Sequence, residues 1–546
     1  MPERLELDKQ LLRDFYLSRG FVDVQVLDAS GELSRERDAT FVTFTVREGQ
    51  SFKIGKISTV SEVETVNAAD FIAVQKMRSG VTYSPAVIEN NIARMENLAL
   101  RKGLNFVRIE PRVVRNDREQ SLDIEFVLKR GEKTFVERID IEGNTTTLDQ
   151  VVRRQFRTVE GDPFNPREIR QAAERIRALG YFTDAKVDSK PGSGPDQVVV
   201  NVDVEEAPTG SLSLGATYGL SAGFGINIGF SETNFLGRGQ GLSVNVSTGT
   251  DTVDASVAFV EPAFLGRDLK LKFAAAYRET SKANAFYDTR TISISPAVEF
   301  PIGVQSRLEL RYKLAEDTIK DVDVGSSQLI KDEAAALGKL SSGLGYTYSF
   351  DNRVTGLNPK AGFLFRFSQD FSGLGGDVKA ISTTVLGVAE AKVLNEEVTL
   401  RAIFEGGMIN TFGGYDSRVT DRYFGNGKIR GFEANGIGPR DMGAVNEDAL
   451  GGNMFAVARF EADFPLGLPE EYGITGGAFV DVGSVWDLDN TSAGVVGASF
   501  TPRAVVGLSL LWNTPIGPLR FNFSDAIQKE TYDREQNFDL TISTKF

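Results

Sequence analysis

The side chains that most often perform covalent chemistry are missing from this sequence. It has no Cys and no His among 546 residues, which excludes thiol nucleophiles, disulfides, and imidazole bases or metal ligands. The segment from Gly219 to Gly223 reads GLSAG and matches the G-x-S-x-G pattern of a nucleophilic serine. That serine needs a histidine partner and a strand-turn-helix setting, so we interpret the segment as a turn. Carboxylates, Lys and Tyr remain possible in principle, but we assign no catalytic residue, metal site or cofactor and expect no enzyme.

Charge and composition narrow the remaining classes of protein. The 61 Lys and Arg residues against 75 Asp and Glu give a net charge of −14, which is unfavourable for nucleic-acid binding. The 55 Gly and 38 Phe residues favour a large β-structure over a helical bundle. No window of the sequence predicts a transmembrane helix. Met1 is not followed by a signal peptide, so an exported protein would be in a mature or trimmed form.

Beyond residue 208 the sequence alternates with the period of a β-strand. Every even position from Leu212 to Phe230 is apolar, and every odd position between them is Ser, Thr, Gly or Asn. Successive side chains of a strand point to opposite faces, and one face here is too polar for the inside of a two-layer core. We therefore predict an all-β transmembrane barrel over 208–546, with its apolar face outward and about 16 antiparallel strands of about 9–11 residues.

The N-terminal part contains a repeated unit. A helical segment ending in Gly20, Gly103 or Gly180 is followed each time by two short apolar strands. These glycines are predicted to cap helices, and each unit reads as an α+β module of order β-α-α-β-β. The first copy lacks its opening strand and first helix, so the chain is expected to begin inside a module. We predict a partial module at 1–49, complete modules at 50–131 and 132–207, and the barrel at 208–546.

A few longer motifs identify a family. The stretch from Tyr423 to Asp441 reads YFGNGKIRGFEANGIGPRD, and three others occur in order along the barrel: YSFDNR at 348–353, FVDVGSVW at 479–486 and GPLRF at 517–521. With these motifs, the sequence resembles the BamA family, the central subunit of the outer-membrane β-barrel assembly machinery, and the repeats resemble its POTRA domains. The family often has a Gly where this chain has Ser543, so a kink in the last strand is not carried over.

The resemblance implies a role for Arg430, at the tip of a loop that folds back into the barrel lumen. The family pattern places its guanidinium against carboxylates of the inner wall, which correspond to Glu461 and Asp481. A planar fork of donors suits a carboxylate better than Lys does. Gly431 would let the backbone approach the wall, and Phe432 would fill the space beside it. We call these five residues the loop lock, and in a wet lumen we expect it to contribute about 1–2 kcal/mol. The alternatives are a solvated Arg on a surface loop and a lock that only stabilises the barrel.

The resemblance also implies that the barrel opens sideways between its first and last strands. We expect a strand at 211–218 to close against one at 537–546 through a weak ladder, the lateral seam. An open strand edge in lipid costs several kcal/mol per unpaired group, so an incoming strand would pair with it. The residues assigned to the seam are Ser211, Leu212, Ser213, Leu214, Phe538, Leu540, Ile542 and Phe546.

The function implied is assembly and insertion of β-barrel proteins into the outer membrane of a Gram-negative type of cell, with the POTRA domains in the periplasm. The partners implied are unfolded outer-membrane proteins, lipoprotein subunits of the machinery and outer-membrane lipid, with no nucleic acid. The alternatives are a sister POTRA-barrel transporter, of the two-partner secretion or translocation-and-assembly type, and a passive porin. A porin would lack the repeats and the Arg-Gly-Phe loop.

Overall fold

A computed structural model describes most of the chain, and contacts within it separate two compact units. The first comprises Met1–Glu142, Gln155–Arg175 and Ala185–Asp203, and the second comprises Gly143–Arg154, Ile176–Asp184 and Val204–Phe546. The described residues are 2–33, 40–104, 106–131, 134–219, 223–249, 252–281, 285–303, 305–336, 338–353, 361–394, 397–469, 472–514 and 517–545.

The N-terminal part alternates helices with short strands, as the repeats predict. Its elements, in chain order, are α1 (Pro2–Leu17), β1 (Gln25–Leu33), β2 (Thr40–Arg47), β3 (Lys53–Ser61), α2 (Ala68–Ile72), α3 (Pro85–Arg101), β4 (Val107–Asn116), β5 (Ser121–Arg130), β6 (Phe135–Glu142), α4 (Asp149–Arg153), α5 (Pro166–Ala178), β7 (Phe182–Pro191) and β8 (Gln197–Glu206).

These elements form small α+β sheets of the same topology. Strands β3, β5 and β4 lie side by side in that order, with β3 parallel and β4 antiparallel to the central β5. Strands β6, β8 and β7 repeat the arrangement, and β1 pairs with β2 in a separate two-stranded sheet. Around β3, β5 and α3 the core is continuous, and its buried residues include Phe52, Phe71, Ile92, Met95 and Phe126.

Gly103 shows why glycine follows the helices of the repeat. It lies two residues after the end of α3 with a φ of 73°, a conformation in which a Cβ is unfavourable. The next amide, of Leu104, donates to the carbonyl of Ala99 at 2.9 Å, which satisfies a carbonyl of the last helical turn. Gly20 and Gly180 also have positive φ angles, of 89° and 72°.

The C-terminal part is almost entirely β-structure. Its elements, besides a 3-10 turn at Phe264–Gly266, are β9 (Gly210–Gly219), β10 (Gly223–Phe235), β11 (Gln240–Gly249), β12 (Thr252–Glu261), β13 (Lys270–Ser281), β14 (Asp288–Pro301), β15 (Ser306–Lys320), α6 (Gln328–Ala335), β16 (Lys339–Asp351), β17 (Ala361–Gly376), β18 (Ala380–Val393), β19 (Val398–Thr411), β20 (Arg440–Asp441), β21 (Met454–Pro465), β22 (Ile474–Trp486), β23 (Val495–Val496), β24 (Arg503–Thr514), β25 (Gly517–Gln528) and β26 (Phe538–Lys545).

Sixteen of these strands, all except the two-residue β20 and β23, close into an antiparallel barrel within the described residues. Each strand pairs with its neighbours in sequence, and β26 returns to β9. The apolar positions of the alternating pattern face outward: Leu212 is 77% exposed and Phe224 52%. The predicted fold, including the strand number and the outward apolar face, is therefore confirmed. In the part of the chain that is described, no helix has the length and hydropathy needed to cross a membrane.

Loop length differs between the two ends of the barrel. We call the end at which β9 begins the near end and the opposite one the far end. The far end carries the long connection of 412–453 between β19 and β21, the α6 connection between β15 and β16, and the segment 487–502 between β22 and β24. Within these loops, β20 pairs with β23. The GLSAG turn falls in the connection between β9 and β10, and its residues 220–222 lie outside the described part of the chain.

Candidate functional site: the lumenal loop and the closing strands

The 412–453 loop carries Arg430 to the wall formed by β21 and β22. The Nε atom of Arg430 donates to Oδ2 of Asp481 at 2.7 Å, and its Nη2 donates to Oδ1 at 2.6 Å. Its Nη1 lies 2.7 Å from Oε1 of Glu461, and its backbone amide donates to Asp481 at 3.0 Å. The structure thus brings together the three charged residues that the resemblance assigns to the loop lock.

Water is largely excluded from this cluster. The Asp481 side chain is 0% exposed and that of Glu461 is 10% exposed. Our expectation of a wet lumen is therefore wrong at this position, because the loop itself packs over the two carboxylates. A bidentate pair in such surroundings is stronger than a solvated one, and its carboxylates would be left buried without Arg430.

Gly431 and Phe432 account for how closely the loop packs. Gly431 has a φ of 85°, and a Cβ at this position would lie 2.9 Å from Cγ1 of Val505. Any larger residue would be strained here and would push the loop away from β24. Phe432 is buried in a cluster with Val505, Phe479 and Ala526, so the tip is anchored by packing as well as by charge.

Three wall residues of this site were not predicted from the sequence. The Arg430 guanidinium lies over the Phe479 ring, 3.6 Å from its centroid, where a cation is attracted to the π-face. Glu461 is also 3.2 Å from Nη1 of Arg401 and 3.6 Å from Nη2 of Arg520. Arg401 and Phe479 are the cross-strand partners of Glu461 on its two sides, so the strand register is the signal that would have identified them.

Lys428 forms a second contact between the loop and the wall. Its Nζ donates to Oε2 of Glu405 at 2.9 Å and lies 4.2 Å from the centre of the Phe455 ring. Arg459 also pairs with Glu405. Glu405 would therefore keep a cationic partner if Lys428 were removed, which Asp481 would not if Arg430 were removed.

Among the described residues, no group of three or more acidic side chains could hold a metal ion.

The described part of the closing ladder between β9 and β26 comprises five residue pairs. It joins Gly215–Gly219 to Thr541–Lys545, with Thr217 opposite Ser543. By comparison, the ladder of β18 with β19 runs from Ala380 to Val393. The first half of β9 and the first residues of β26 lie outside these described pairs, and residues 220–222 and 546, which adjoin them, are outside the described part of the chain.

This register locates the residues assigned to the lateral seam. Ser211, Leu212, Ser213 and Leu214 pair with β10, and they precede Gly215, at which the described ladder with β26 begins. Phe538 and Leu540 pair with β25. Of the predicted seam residues, Ile542 lies in the ladder, opposite Tyr218, and Phe546 is outside the described residues.

Comparison with known proteins gives this barrel a family. The family model described as the Omp85 superfamily domain matches residues 234–546. The chain belongs to the Omp85 superfamily. A second model, the POTRA family described as surface antigen variable number repeat, matches 2–49 and 134–207. Residues 50–131, which lie between those matches, have the same order of strands and helices.

Relatives of this Omp85 chain match over its whole length. The outer membrane protein assembly factor BamA of Neorickettsia risticii (strain Illinois) is 29% identical over 545 residues, which covers 100% of this chain and 72% of that protein. The resemblance to the BamA family is therefore confirmed. The barrel lies in the outer membrane, with the POTRA domains in the periplasm, so the near end is periplasmic and the far end faces outward.

Two solved structures share the fold. The crystal structure of BamA from Haemophilus ducreyi lacking POTRA domains 1–3 has a TM-score of 0.67 at 21% identity and covers 91% of this chain and 100% of its own. CdiB from Acinetobacter baumannii has a TM-score of 0.53 at 14% identity and covers 100% of this chain and 97% of its own. The architecture is thus common to both, and it is nearer to that of the assembly factor.

Proposed function

We propose that this protein folds and inserts β-barrel proteins into the outer membrane by pairing a strand edge of its own barrel with a strand of the incoming protein. The observation that carries the proposal is that β26 returns to β9 through a ladder whose described pairs join Gly215–Gly219 to Thr541–Lys545. Opening it frees backbone groups, and an unpaired backbone group costs several kcal/mol in hydrocarbon. Full-length similarity to an outer membrane protein assembly factor supports this over a general transport role.

The proposed mechanism is an exchange of backbone hydrogen bonds and includes no covalent step. The seam opens, a strand of the incoming protein pairs with the exposed edge by β-augmentation, and further strands add until the new barrel closes on itself. Pairing with the incoming strands satisfies backbone groups of the opened edges that would otherwise be exposed to the hydrocarbon. The protein thereby acts on unfolded outer-membrane proteins without being an enzyme.

The POTRA modules offer a periplasmic surface for the same kind of pairing. Strand β4 is an edge of its sheet, and its Val113 and Val114 are exposed, the latter by 56%. An extended apolar segment would add to this edge through main-chain hydrogen bonds, with pockets for alternate side chains. We propose that these modules receive substrate and also bind lipoprotein subunits of an assembly machinery, as is implied by the family.

A covalent clamp across the seam tests the mechanism directly. The chain has no Cys of its own, so Thr217→Cys with Ser543→Cys introduces a single pair at directly opposed positions. The oxidised double variant should stop assembly of a porin in reconstituted vesicles, and a reductant should restore it. The control is Asn245→Cys with Ser256→Cys, an opposed pair between β11 and β12, which should remain active when oxidised. Full assembly activity with the seam quantitatively crosslinked would rule out lateral opening.

Depletion of the protein in cells distinguishes this function from its alternatives. Failure of many unrelated outer-membrane proteins to assemble is expected if the chain is a general assembly factor. Loss of one secreted protein would instead indicate a two-partner secretion pore.

Single-channel conductance distinguishes a passive porin, which would conduct ions steadily. The 412–453 loop packs inside this barrel against Val505 and Phe479, so we expect low conductance.

A further inference from the structure

The tip of the lumenal loop is hydrogen-bonded to the segment that leads into the last strand. Phe432 and Glu535 form an antiparallel bridge. The Glu433 amide donates to the Arg534 carbonyl at 3.0 Å, and the amides of Arg534 and Gln536 donate to the carbonyls of Gly436 and Gly431 at 2.9 and 3.0 Å. We call this pairing of 431–436 with 534–536 the tether. It links the loop lock to β26 through backbone alone.

The segment that carries the tether is itself fixed by a buried ion pair at its start. Arg503, the first residue of β24, donates from Nε and Nη2 to the two carboxylate oxygens of Asp533, both at 2.9 Å. Both side chains are 0% exposed. Nη1 of Arg503 donates to the Thr501 carbonyl at 2.7 Å, and its Nη2 lies 3.2 Å from the Tyr532 hydroxyl. The mechanism proposed above does not use this pair.

The tether lies next to the start of β26. At its far end β26 pairs with β25, as in Phe538 with Phe523, and its described ladder with β9 begins only at Thr541. The residues just before β26 are held by the tether, one residue away from Asp533. Among the described residues, the far end of β26 is thus held by β25 and by this tethered segment.

We propose that Arg503 and Asp533 are positioning residues for the lateral seam, acting through the tether. The bidentate geometry allows one arrangement of the 529–537 loop, and that arrangement lets 534–536 pair with the loop tip. Breaking the pair would leave a charge buried without its partner and would release the segment that precedes β26. The seam would then open more readily, and the loop lock would lose its backbone connection to the seam. The relevance of this coupling to assembly rests on the proposed function.

Amide hydrogen exchange of the full-length protein in lipid nanodiscs tests the proposal without an assembly assay. Asp533→Asn keeps the shape of the side chain and removes its charge. We expect the peptides that cover 215–219 and 541–545 to exchange about tenfold faster, because exchange reports the open fraction of the ladder. Peptides of the interior ladder between β11 and β12 should be unchanged. Unaltered exchange at the seam in a folded Asp533→Asn barrel would overturn the proposal.

A matched control removes a buried ion pair elsewhere among the far-end loops. Glu333 of α6 pairs with the buried Arg422 of the 412–453 loop, and both residues lie outside the segments 431–436 and 534–536 that form the tether. Glu333→Gln should leave seam exchange as in the wild type. If Glu333→Gln and Asp533→Asn accelerate it equally, the effect is general loosening and the proposal is wrong. Should Asp533→Asn not fold, Arg503→Lys keeps the charge without the fork, and unchanged seam exchange in that variant would equally refute it.

A double variant separates coupling from two independent effects. Arg430→Ala should also accelerate exchange at the seam, and Arg430→Ala with Asp533→Asn should be little faster than the more severe single variant, because both act on one connected unit. If the increases in exchange rate of the two single variants multiply in the double variant, Arg430 and Asp533 act independently and the coupling is contradicted. Since the readout is seam opening alone, failure of the oxidised seam to block assembly would refute the proposed function and leave this inference standing.

Discussion

Arg430 is held at the barrel wall by a bidentate ion pair with a buried carboxylate. Arg430→Ala removes the fork on Asp481, which is 0% exposed, and leaves that carboxylate buried. Breaking a buried pair in this way costs about 3–5 kcal/mol, more than the value we expected for a wet lumen. We therefore predict lower heat resistance of the barrel, measured as its electrophoretic shift on heating, together with weaker assembly. Arg430→Lys should lie between this variant and the wild type.

Lys428→Ala is the natural comparison for that variant. Lys428 and Glu405 are 26% and 21% exposed, and Arg459 remains beside Glu405. Partly solvated pairs contribute little, about 0–1 kcal/mol. Equal losses in Arg430→Ala and Lys428→Ala would show that the Arg430 contact has no special weight.

Gly431 allows the steric part of the contact to be measured separately. Gly431→Ala places a methyl group 2.9 Å from Val505 at a φ of 85°. Gly427→Ala is matched to it, because Gly427 also has a positive φ, of 69°, but a Cβ there would meet nothing within 4 Å. In both variants the left-handed backbone should lower the free energy of unfolding by about 1–2 kcal/mol. Gly431→Ala should in addition be less heat-resistant than Gly427→Ala. Identical midpoints of heat unfolding would mean that Val505 and β24 accommodate the added methyl group without a loss of stability.

The limits of sequence reasoning are clear at the scale of single residues. Arg430, Glu461 and Asp481 could be named because they lie in motifs that carry the family resemblance. Arg401, Arg520 and Phe479 could not, since they meet Glu461 or Arg430 only through the pairing of strands and the placement of the loop. Alternation tells which face a side chain occupies, but not what lies opposite it on the next strand.

At the scale of elements, the register of β9 against β26 yields a sharp prediction. Thr217 lies opposite Ser543, and opposed residues are about 4.5–5.5 Å apart at Cα, which a disulfide accepts. Cysteines at these two positions should therefore crosslink on oxidation, as seen by gel mobility. Ser213→Cys with Ser543→Cys should not, because four residues along a strand add about 13 Å. Efficient crosslinking of the second pair would place the strands in another register.

The end of β8 provides a second prediction, which concerns pH. Glu206 accepts hydrogen bonds from the Thr145 hydroxyl at 2.7 Å and the Thr147 amide at 2.6 Å. Partial burial acts to raise the pKa of Glu206, but these hydrogen bonds outweigh it and lower the pKa from 4.5 to about 2. A lowered pKa means that the ionised form stabilises this contact fully above pH 4.5 and that the stabilisation is lost as the pH falls towards 2.

Protection of the amides of Thr146 and Thr147 from hydrogen exchange, corrected for the intrinsic effect of pH, measures this contact. We expect protection to fall between pH 4.5 and about 2. Glu206→Gln should have low protection throughout and no such pH dependence, whereas the neighbouring Glu205→Gln should behave as the wild type. A pH dependence that persists in Glu206→Gln would assign the effect to another group.

Element types were easier to predict from the sequence than element pairing. The period of two from Leu212 to Phe230 predicted strands with an outward apolar face, and Gly103 predicted the end of a helix, because each is a local property of the chain. The register that places Thr217 opposite Ser543 is not local. It follows from the stagger of all sixteen strands around the barrel.

For the whole molecule, the two compact units do not coincide with the modules that the sequence predicts. Residues 143–154 and 176–184 lie within the predicted third module but belong to the unit of the barrel. The Leu148 amide donates to the Gly237 carbonyl at 2.8 Å, and the Asn234 side chain donates to the Thr147 hydroxyl, also at 2.8 Å. A period in the sequence reveals the repeated unit, but not which of its segments pack against something else.

Two truncations test this division. A chain of residues 132–546 keeps both segments, and a chain of 208–546 loses them. We predict that the shorter chain has the lower midpoint of heat unfolding, because Asn234 would lose the hydrogen bond to the Thr147 hydroxyl, and that the longer one matches the full-length barrel. Equal midpoints would mean that 143–154 and 176–184 add nothing to the stability of the barrel.

Closure of the barrel through a ladder of hydrogen bonds has an energetic consequence for the proposed cycle. The backbone groups that β9 and β26 free on separating pair with the arriving strands, and the ladder between β9 and β26 re-forms when the finished barrel departs. The hydrogen-bond inventory of the catalyst is therefore the same before and after a turnover. Insertion can then be driven by the substrate alone, through the burial of its apolar face in lipid.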